Sequence, residues 1–339
     1  MVTLRLEEPG RLCLIDTAVP TLSAPGEVLV RVHRIGICGT DIHAYGGRQP
    51  FFSYPRVLGH ELGVEVIALG DGVTELAPGD RCAVEPYLNC QTCIACRRGK
   101  PNCCAHLQVL GVHTDGGMRE YFCLPARKLH RSAKLTFDQL ALVETLGIGC
   151  HAVDRARPEK GEFALVIGAG PIGLSVMQFA VEAGTEVIVL DINATRLEFC
   201  RRQLGVVHAI NALKESPIEA LERITGGNLP TLVFDATGNP KSMMAAFDFP
   251  AQGGRLVFVG LFQGDVTFND PQFHRRELTL MSSRNALPTD FSRIIGLIEE
   301  GRIDTAPWIT HRASFGDAIS TFPNWVRPET GAIKAMLEL

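Results

Sequence analysis

The stretch Leu165-Val166-Ile167-Gly168-Ala169-Gly170-Pro171-Ile172-Gly173 constrains the fold more than any other part of the chain. It places G-x-G-x-x-G directly after a strand-like apolar run and at the start of an apolar helix-like run. Gly168 and Gly170 permit a tight turn that lets a pyrophosphate approach the helix N-terminus, and Gly173 lets helix and strand pack closely. Asp191 closes the second apolar run, 18 residues beyond Gly173. A carboxylate there accepts hydrogen bonds from ribose hydroxyls and repels a 2′-phosphate, so NAD is expected in preference to NADP.

The surrounding pattern agrees with a parallel sheet. Apolar runs at 164–167, 187–190, 232–234 and 256–259 alternate with helical stretches, the signature of βαβ crossovers. Ser216-Pro217-Ile218-Glu219 reads as a helix start, with Ser216 as cap, Pro217 in the first turn and Glu219 completing a capping box. The sheet is expected to end near Ser283. A helix over about 290–300 should stop at Gly301, after which the chain returns to short β-like pieces. The part before residue 160 is different. It is rich in Gly and Pro and carries short alternating segments at 27–32, 63–67 and 120–124, which argue for a compact, partly open β-barrel or sandwich.

Composition narrows the function classes. With 339 residues, 46% of them hydrophobic and 21% charged, the chain is long enough for two cores. A net charge of −4 gives no basic footprint for nucleic acid, and no apolar run approaches the ~20 residues that span a bilayer. Small molecules are the expected partners. The N-terminal Met1-Val2-Thr3-Leu4-Arg5 lacks the apolar run of a signal peptide, so the eleven cysteines are read as thiols in a reducing cytoplasm rather than as disulfides.

Four of those cysteines, Cys90, Cys93, Cys96 and Cys104, form C-x2-C-x2-C-x7-C in a loop without strand or helix pattern. Thiolates at such spacing can converge on one tetrahedral zinc, a closed structural site. Cys103 falls one residue short of that spacing and reads as a bystander or an alternative ligand. Cys13, Cys82, Cys123, Cys150 and Cys200 sit in apolar settings as buried thiols, and His113, His130 and His151 read as structural. Upstream, Cys38-Gly39-Thr40-Asp41-Ile42-His43 and Gly59-His60-Glu61 mix sulfur, nitrogen and oxygen donors, which suits a second zinc with a position open for chemistry. Taken singly, Cys38 is a small buried hydrophobe and His60 a core histidine. Taken together beside a nucleotide fold, they form a candidate catalytic site, with Thr40 and His43 placed to relay a proton.

These motifs, with Gly116-Gly117-Met118-Arg119-Glu120-Tyr121, Glu144 and Asp235-Ala236-Thr237-Gly238, occur in the order seen in zinc-dependent medium-chain alcohol and polyol dehydrogenases, which the whole chain resembles. The resemblance implies a fold of α/β plus β, in which a GroES-like catalytic domain, residues 1–145 and 285–339, receives an inserted doubly wound Rossmann domain, 146–284. It implies two zinc ions and NAD. It makes Cys38 and His60 ligands of the catalytic zinc, with Glu61 and Glu144 as carboxylates of which either can ligate directly, through water or in exchange. Glu144 departs from the usual setting because Thr145 stands where a proline is common. Asp41 is implied to orient His60 or its loop, or else to cap locally. The implied cofactor contacts are Gly168, Gly170, Pro171, Ile172, Gly173, Asp191, Arg196, Thr237, Val259, Leu261 and Arg284. Dimers or tetramers are implied as well. Within the family, the segments 36–61, 259–262 and 283–286 point to a sugar acid, L-galactonate oxidised at C5 in particular, with Arg284 a candidate contact for cofactor or acid. The alternatives are a sorbitol-like polyol, a sugar-alcohol phosphate or L-threonine, and, from another class, a non-catalytic nucleotide sensor with structural zinc.

Overall fold

A computed structural model describes residues 1–49 and 52–339, so Pro50 and Phe51 of the segment 36–61 lie outside the described residues. The chain divides into two compact units, Met1–Glu144 with Leu287–Leu339, and Thr145–Ala286. The first boundary falls inside a single 20-residue helix, Phe137–Ala156.

The first unit is built on β-structure. Its largest sheet joins seven strands, with Glu27–Ile37 pairing antiparallel with Glu61–Leu69, Tyr121–Pro125 and the C-terminal strand Lys334–Glu338. Alternation in Glu27–Ile37 buries Val28, Val30 and Val32 on one face, where they join Leu62, Val64, Val66 and Phe122 in one core. A hairpin of Val2–Glu8 and Arg11–Asp16 covers part of that core with Leu4, Leu6 and Leu12. The chain after Gly301 is not all β. Between Ile309–Ser314 and Lys334–Glu338 lies a helix, Ala318–Trp325, which the Pro323 and β-branched residues inside it conceal in the sequence. It is held by burial of Ala318, Phe322 and Trp325, one stripe of its surface.

The second unit is a six-stranded, all-parallel sheet. In spatial order its strands are His208–Asn211, Glu186–Asp191, Phe163–Ile167, Leu232–Asp235, Arg255–Phe258 and Thr279–Ser282. The order reverses beside Phe163–Ile167, which makes the carboxyl end of that strand the switch point where doubly wound sheets bind ligands. The helix Pro217–Thr225 begins after Ser216, as its residues suggest. The Ser216 hydroxyl, however, makes no capping bond, so Pro217 and the buried Ala220 and Leu221 carry that start.

Candidate active site

Cys38 follows the strand Glu27–Ile37 and immediately precedes the helix Gly39–Tyr45. Asp41, fully buried in the first turn of that helix, accepts hydrogen bonds from the Cys38 N–H at 2.9 Å and the Gly59 N–H at 3.3 Å. One carboxylate therefore caps the helix and ties the turn carrying Cys38 to the segment carrying His60. That segment is gripped from the other side by Gly116 to Met118, whose N–H groups donate to Val57, Gly59 and Leu58 carbonyls at 2.7, 2.8 and 2.9 Å. The approach demands glycine, because a Cβ on Gly116 would lie 2.3 Å from the Gly59 oxygen.

The result is a cluster in which Cys38, His60 and Glu61 place one ligand atom each within 4.8 Å of the others, with His60 and Glu61 buried. His60 Nδ1 is buried without a hydrogen-bond partner among the described residues, and the Asp41 carboxylate oxygen is 3.8 Å away, beyond hydrogen-bond reach. Burial disfavours the imidazolium, but the Cys38 sulfur and the Asp41 carboxylate outweigh it and hold the His60 pKa well above its ordinary value. Negative groups that favour a proton there favour a divalent cation equally. A thiol, an imidazole and a carboxylate are a donor set suited to zinc.

Two side chains missing from the sequence reading control the carboxylates. Both Glu61 oxygens accept from Lys334 Nζ, at 2.6 and 2.7 Å, and Lys334 also donates to the Ile37 carbonyl at 3.3 Å. Burial works against the Lys334 ammonium, yet Glu61 and Cys38 raise its pKa, so the lysine keeps its charge. Gly36 makes room for it, since a Cβ there would lie 2.2 Å from Glu61 Oε2. Glu144, buried on the helix Phe137–Ala156, accepts a 2.5 Å hydrogen bond from the Tyr87 hydroxyl. Burial raises its pKa, while His60 and the Tyr87 hydrogen bond pull it back. Lys334 offered no sequence signal of this pairing, since the terminal strand Lys334–Glu338 carries a charge at each end. Tyr87 offered none beyond standing three residues before Cys90.

Thr40 and His43 lie three residues apart on the helix Gly39–Tyr45, hence on one face of it. Partial burial, then the Arg48 charge, lowers the His43 pKa, so the ring is neutral near pH 7 and able to accept a proton.

The four sulfurs of Cys90, Cys93, Cys96 and Cys104 also lie within 4.8 Å of one another, and those of Cys93 and Cys104 are 3.9 Å apart. A tetrahedron with Zn–S of about 2.3 Å has sulfur–sulfur edges of about 3.8 Å, so the cluster fits zinc. Backbone N–H groups of Cys90, Cys93 and His106 donate to these sulfurs at 3.2 to 3.3 Å. The Thr92 hydroxyl and amide hydrogen bonds bring the Cys90 thiol down to about 5, whereas burial pushes Cys104 up to about 11, which leaves a cation to draw off the last protons. The loop is not wholly irregular. It contains a one-turn helix, Ile94–Arg97, and a 3-10 turn, Pro101–Cys103, and Cys103 is exposed outside the sulfur cluster. Among the described residues no cysteine is in a disulfide.

In the second unit, Gly168 follows Phe163–Ile167 at positive φ and the helix Pro171–Glu182 starts at Pro171. A Cβ on Gly173 would lie 1.7 Å from the Gly168 carbonyl oxygen, so helix and turn meet only because glycine is there. Asp191 accepts from the Ala169 N–H at 2.6 Å and the Asn193 N–H at 2.7 Å, fixing the glycine turn from the neighbouring strand. Thr237, Val259 and Arg284 follow the next three strands at the same sheet edge, with Leu261 exposed beyond Val259. Arg196 sits in the first turn of the next helix, Ala194–Leu204, with a guanidinium nitrogen 3.9 Å from where a Gly170 Cβ would be. Nearly every residue singled out for the nucleotide thus stands on or beside the carboxyl edge of the parallel sheet.

A β-domain with a three-donor cluster and a four-sulfur loop, joined in one chain to a doubly wound nucleotide sheet, defines a zinc-type nucleotide-linked oxidoreductase. The alcohol dehydrogenase GroES-like domain family matches residues 24–134, and the zinc-binding dehydrogenase family matches residues 171–300. The chain belongs to the zinc-type medium-chain alcohol dehydrogenases, oxidoreductases acting on alcohol groups. It is 40% identical to the L-galactonate-5-dehydrogenase of Escherichia coli K12, over 99% of this chain and 98% of that one. It is 33% identical to the 2-dehydro-3-deoxy-L-galactonate 5-dehydrogenase of Pseudoalteromonas atlantica, over 92% of each chain. A crystal structure of the alcohol dehydrogenase rspB from Escherichia coli CFT073, complexed with the cofactor NADH, superimposes with a TM-score of 0.93 at 32% identity, covering 100% of this chain and 99% of that one. Among the described residues no helix is long and apolar enough to cross a membrane.

Proposed function

We propose that the chain oxidises a secondary hydroxyl of a sugar acid to a ketone, with NAD as hydride acceptor and a zinc held by Cys38, His60 and Glu61 or Glu144; the leading substrate is L-galactonate at C5. The observation that carries the chemistry is the sulfur, nitrogen and oxygen cluster, with His60 and Glu61 buried and a His60 nitrogen orphaned among the described residues. The full-length similarity to a 5-dehydrogenase of L-galactonate supports the substrate class. Bound there, zinc acts as a Lewis acid that makes an alcohol oxygen more acidic. The chain's own groups do the rest. Asp41 holds the two ligand segments in register, and Lys334 binds both Glu61 oxygens and fixes that carboxylate in place. Thr40 passes the hydroxyl proton to the neutral His43 ring, which is exposed and can release it to water. Gly168 to Gly173 receives the pyrophosphate and Asp191 the ribose hydroxyls, which excludes a 2′-phosphate.

NADH formation across hexonates, hexitols, pentitols, a sugar-alcohol phosphate and L-threonine tests this reading. L-Galactonate should give the highest kcat/KM, and Cys38→Ala or His60→Ala should lower turnover at least ~1,000-fold while the four-cysteine zinc remains. A neutral polyol preferred over every acid would overturn the substrate class. Near-normal activity in the Cys38 variant would overturn the metal assignment.

A further inference from the structure

Tyr87 is a buried tyrosine whose hydroxyl and ring each have a specific partner, Glu144 and Phe291. It lies in the two-residue strand Tyr87–Leu88, paired with Gln108–Val109, and is 2% exposed. Two residues before it, Glu85 is buried in an ion pair with Lys128 and receives a 3.2 Å contact from His130 Nε2. Phe291 packs edge-on to the Tyr87 ring at 6.4 Å and stacks on His130 at 4.8 Å. The phenol is therefore fixed in position and direction, and its hydroxyl meets Glu144 Oε1. Three residues further along the same strand and turn is Cys90, the first sulfur of the four-cysteine cluster.

We propose that Tyr87 is a positioning residue for the catalytic metal: its hydroxyl occupies Glu144 Oε1, leaves the other oxygen as the one available toward Cys38 and His60, and anchors Glu144 to the strand that leads into the four-cysteine loop. This rests on the reading of Cys38 and His60 as zinc ligands. A carboxylate with one oxygen committed to a rigid donor can offer the metal a single oxygen in a fixed direction, whereas a free one can swing or chelate. Partners of metal ligands that fix orientation in this way are worth 10- to 100-fold in metal affinity. Glu61 is committed differently, with both oxygens on Lys334.

The test is Tyr87→Phe in the full-length zinc-loaded protein, which keeps the ring on Phe291 and removes only the hydroxyl. Zinc bound at the Cys38 site should exchange with a competing chelator about 10- to 100-fold more readily, while the four-cysteine zinc is retained. Cobalt exchanged into the Cys38 site should show an altered visible spectrum, and kcat should fall with KM for NAD unchanged. A folded variant with native metal affinity and native cobalt spectrum overturns the proposal. Glu144→Gln separates its failure from that of the site reading. If that variant weakens the metal but Tyr87→Phe does not, only the role of Tyr87 falls. If neither moves the metal, Glu144 is not at the metal and the proposal falls, while the reading of Cys38 and His60 as ligands falls only if His60→Ala also leaves zinc binding unchanged. The double variant should be no weaker than Glu144→Gln alone; additive losses would mean that Tyr87 acts through packing instead, which also overturns it.

Discussion

Lys334 is the residue on which the electrostatics of the metal-site domain turn. Glu61, Asp41 and Glu144 are buried around His60, and Glu61 is ion-paired with Lys334, itself 2% exposed. Removing one partner of a buried pair leaves an uncompensated charge and costs about 3–5 kcal/mol. A divalent ion at Cys38 and His60 would supply the missing positive charge to the same carboxylate. Lys334→Met should therefore lower the melting temperature, and chelation should lower it further in the variant than in the native protein, because only there does the metal stand alone against Glu61. Thermal melts of both proteins with and without chelator decide it. An equal chelator-induced drop in the two would mean that Lys334 and the metal do not share Glu61. Lys334 and Tyr87 were invisible in the sequence for the same reason. Their partners lie 273 and 57 residues away, and nothing local to a lysine in a strand or a tyrosine before a cysteine announces a buried carboxylate at that distance.

At the scale of elements, the glycine turn and the four-cysteine loop show opposite ways of being readable. The four central parallel strands are buried on both faces and so read as continuous apolar runs, which is why 164–167 and its neighbours were legible almost to the residue. Helices were less so where packing, not propensity, decides them. Ala318–Trp325 survives a proline and β-branched residues because it buries one stripe, and Ile94–Arg97 is a single turn whose residues answer to sulfur geometry. The Cys38, His60 and Glu61 cluster was legible because cysteine, histidine and glutamate carry chemistry in their identity; the hydrogen bond from Tyr87 to Glu144 was not, because it joins residues far apart in the chain. The glycine turn also gives the firmest element-scale prediction. In Gly173→Ala the new Cβ would sit 1.7 Å from the Gly168 oxygen, and both are backbone-fixed, so the helix Pro171–Glu182 must move off the turn. Stability should fall by about 1–3 kcal/mol. NADH affinity, read by fluorescence titration, should fall at least ~10-fold because the displaced helix N-terminus no longer meets the pyrophosphate. Unchanged NADH binding would show that the turn tolerates the shift and that the nucleotide does not depend on it.

For the whole molecule, the order of segments matters as much as their content. The second unit is continuous, Thr145–Ala286, and owns a core of Leu165, Ile167, Ile188, Leu190, Val233 and Leu256 with its flanking helices. The first unit is assembled from both ends of the chain, and its central strand Glu27–Ile37 pairs with Lys334–Glu338. That last strand brings Met336 and Leu337, both fully buried, and the Lys334 ammonium bound to Glu61. Burial of two such side chains contributes roughly 3–6 kcal/mol. Loss of the Lys334 pairing removes about 3–5 kcal/mol more. The sum rivals the 5–15 kcal/mol that typically separates folded from unfolded domains. A fragment of residues 145–286 should therefore unfold cooperatively and retain NADH binding, since nothing in its sheet comes from outside. A fragment of residues 1–144 should not fold on its own, because the central strand Glu27–Ile37 loses its partner Lys334–Glu338 and the buried Glu61 loses its ion pair with Lys334. Circular dichroism melts of the two fragments read the difference directly. A cooperative transition in 1–144 would mean that the terminal strand merely extends a sheet already stable, and that Glu61 finds its counter-charge in the metal rather than in Lys334.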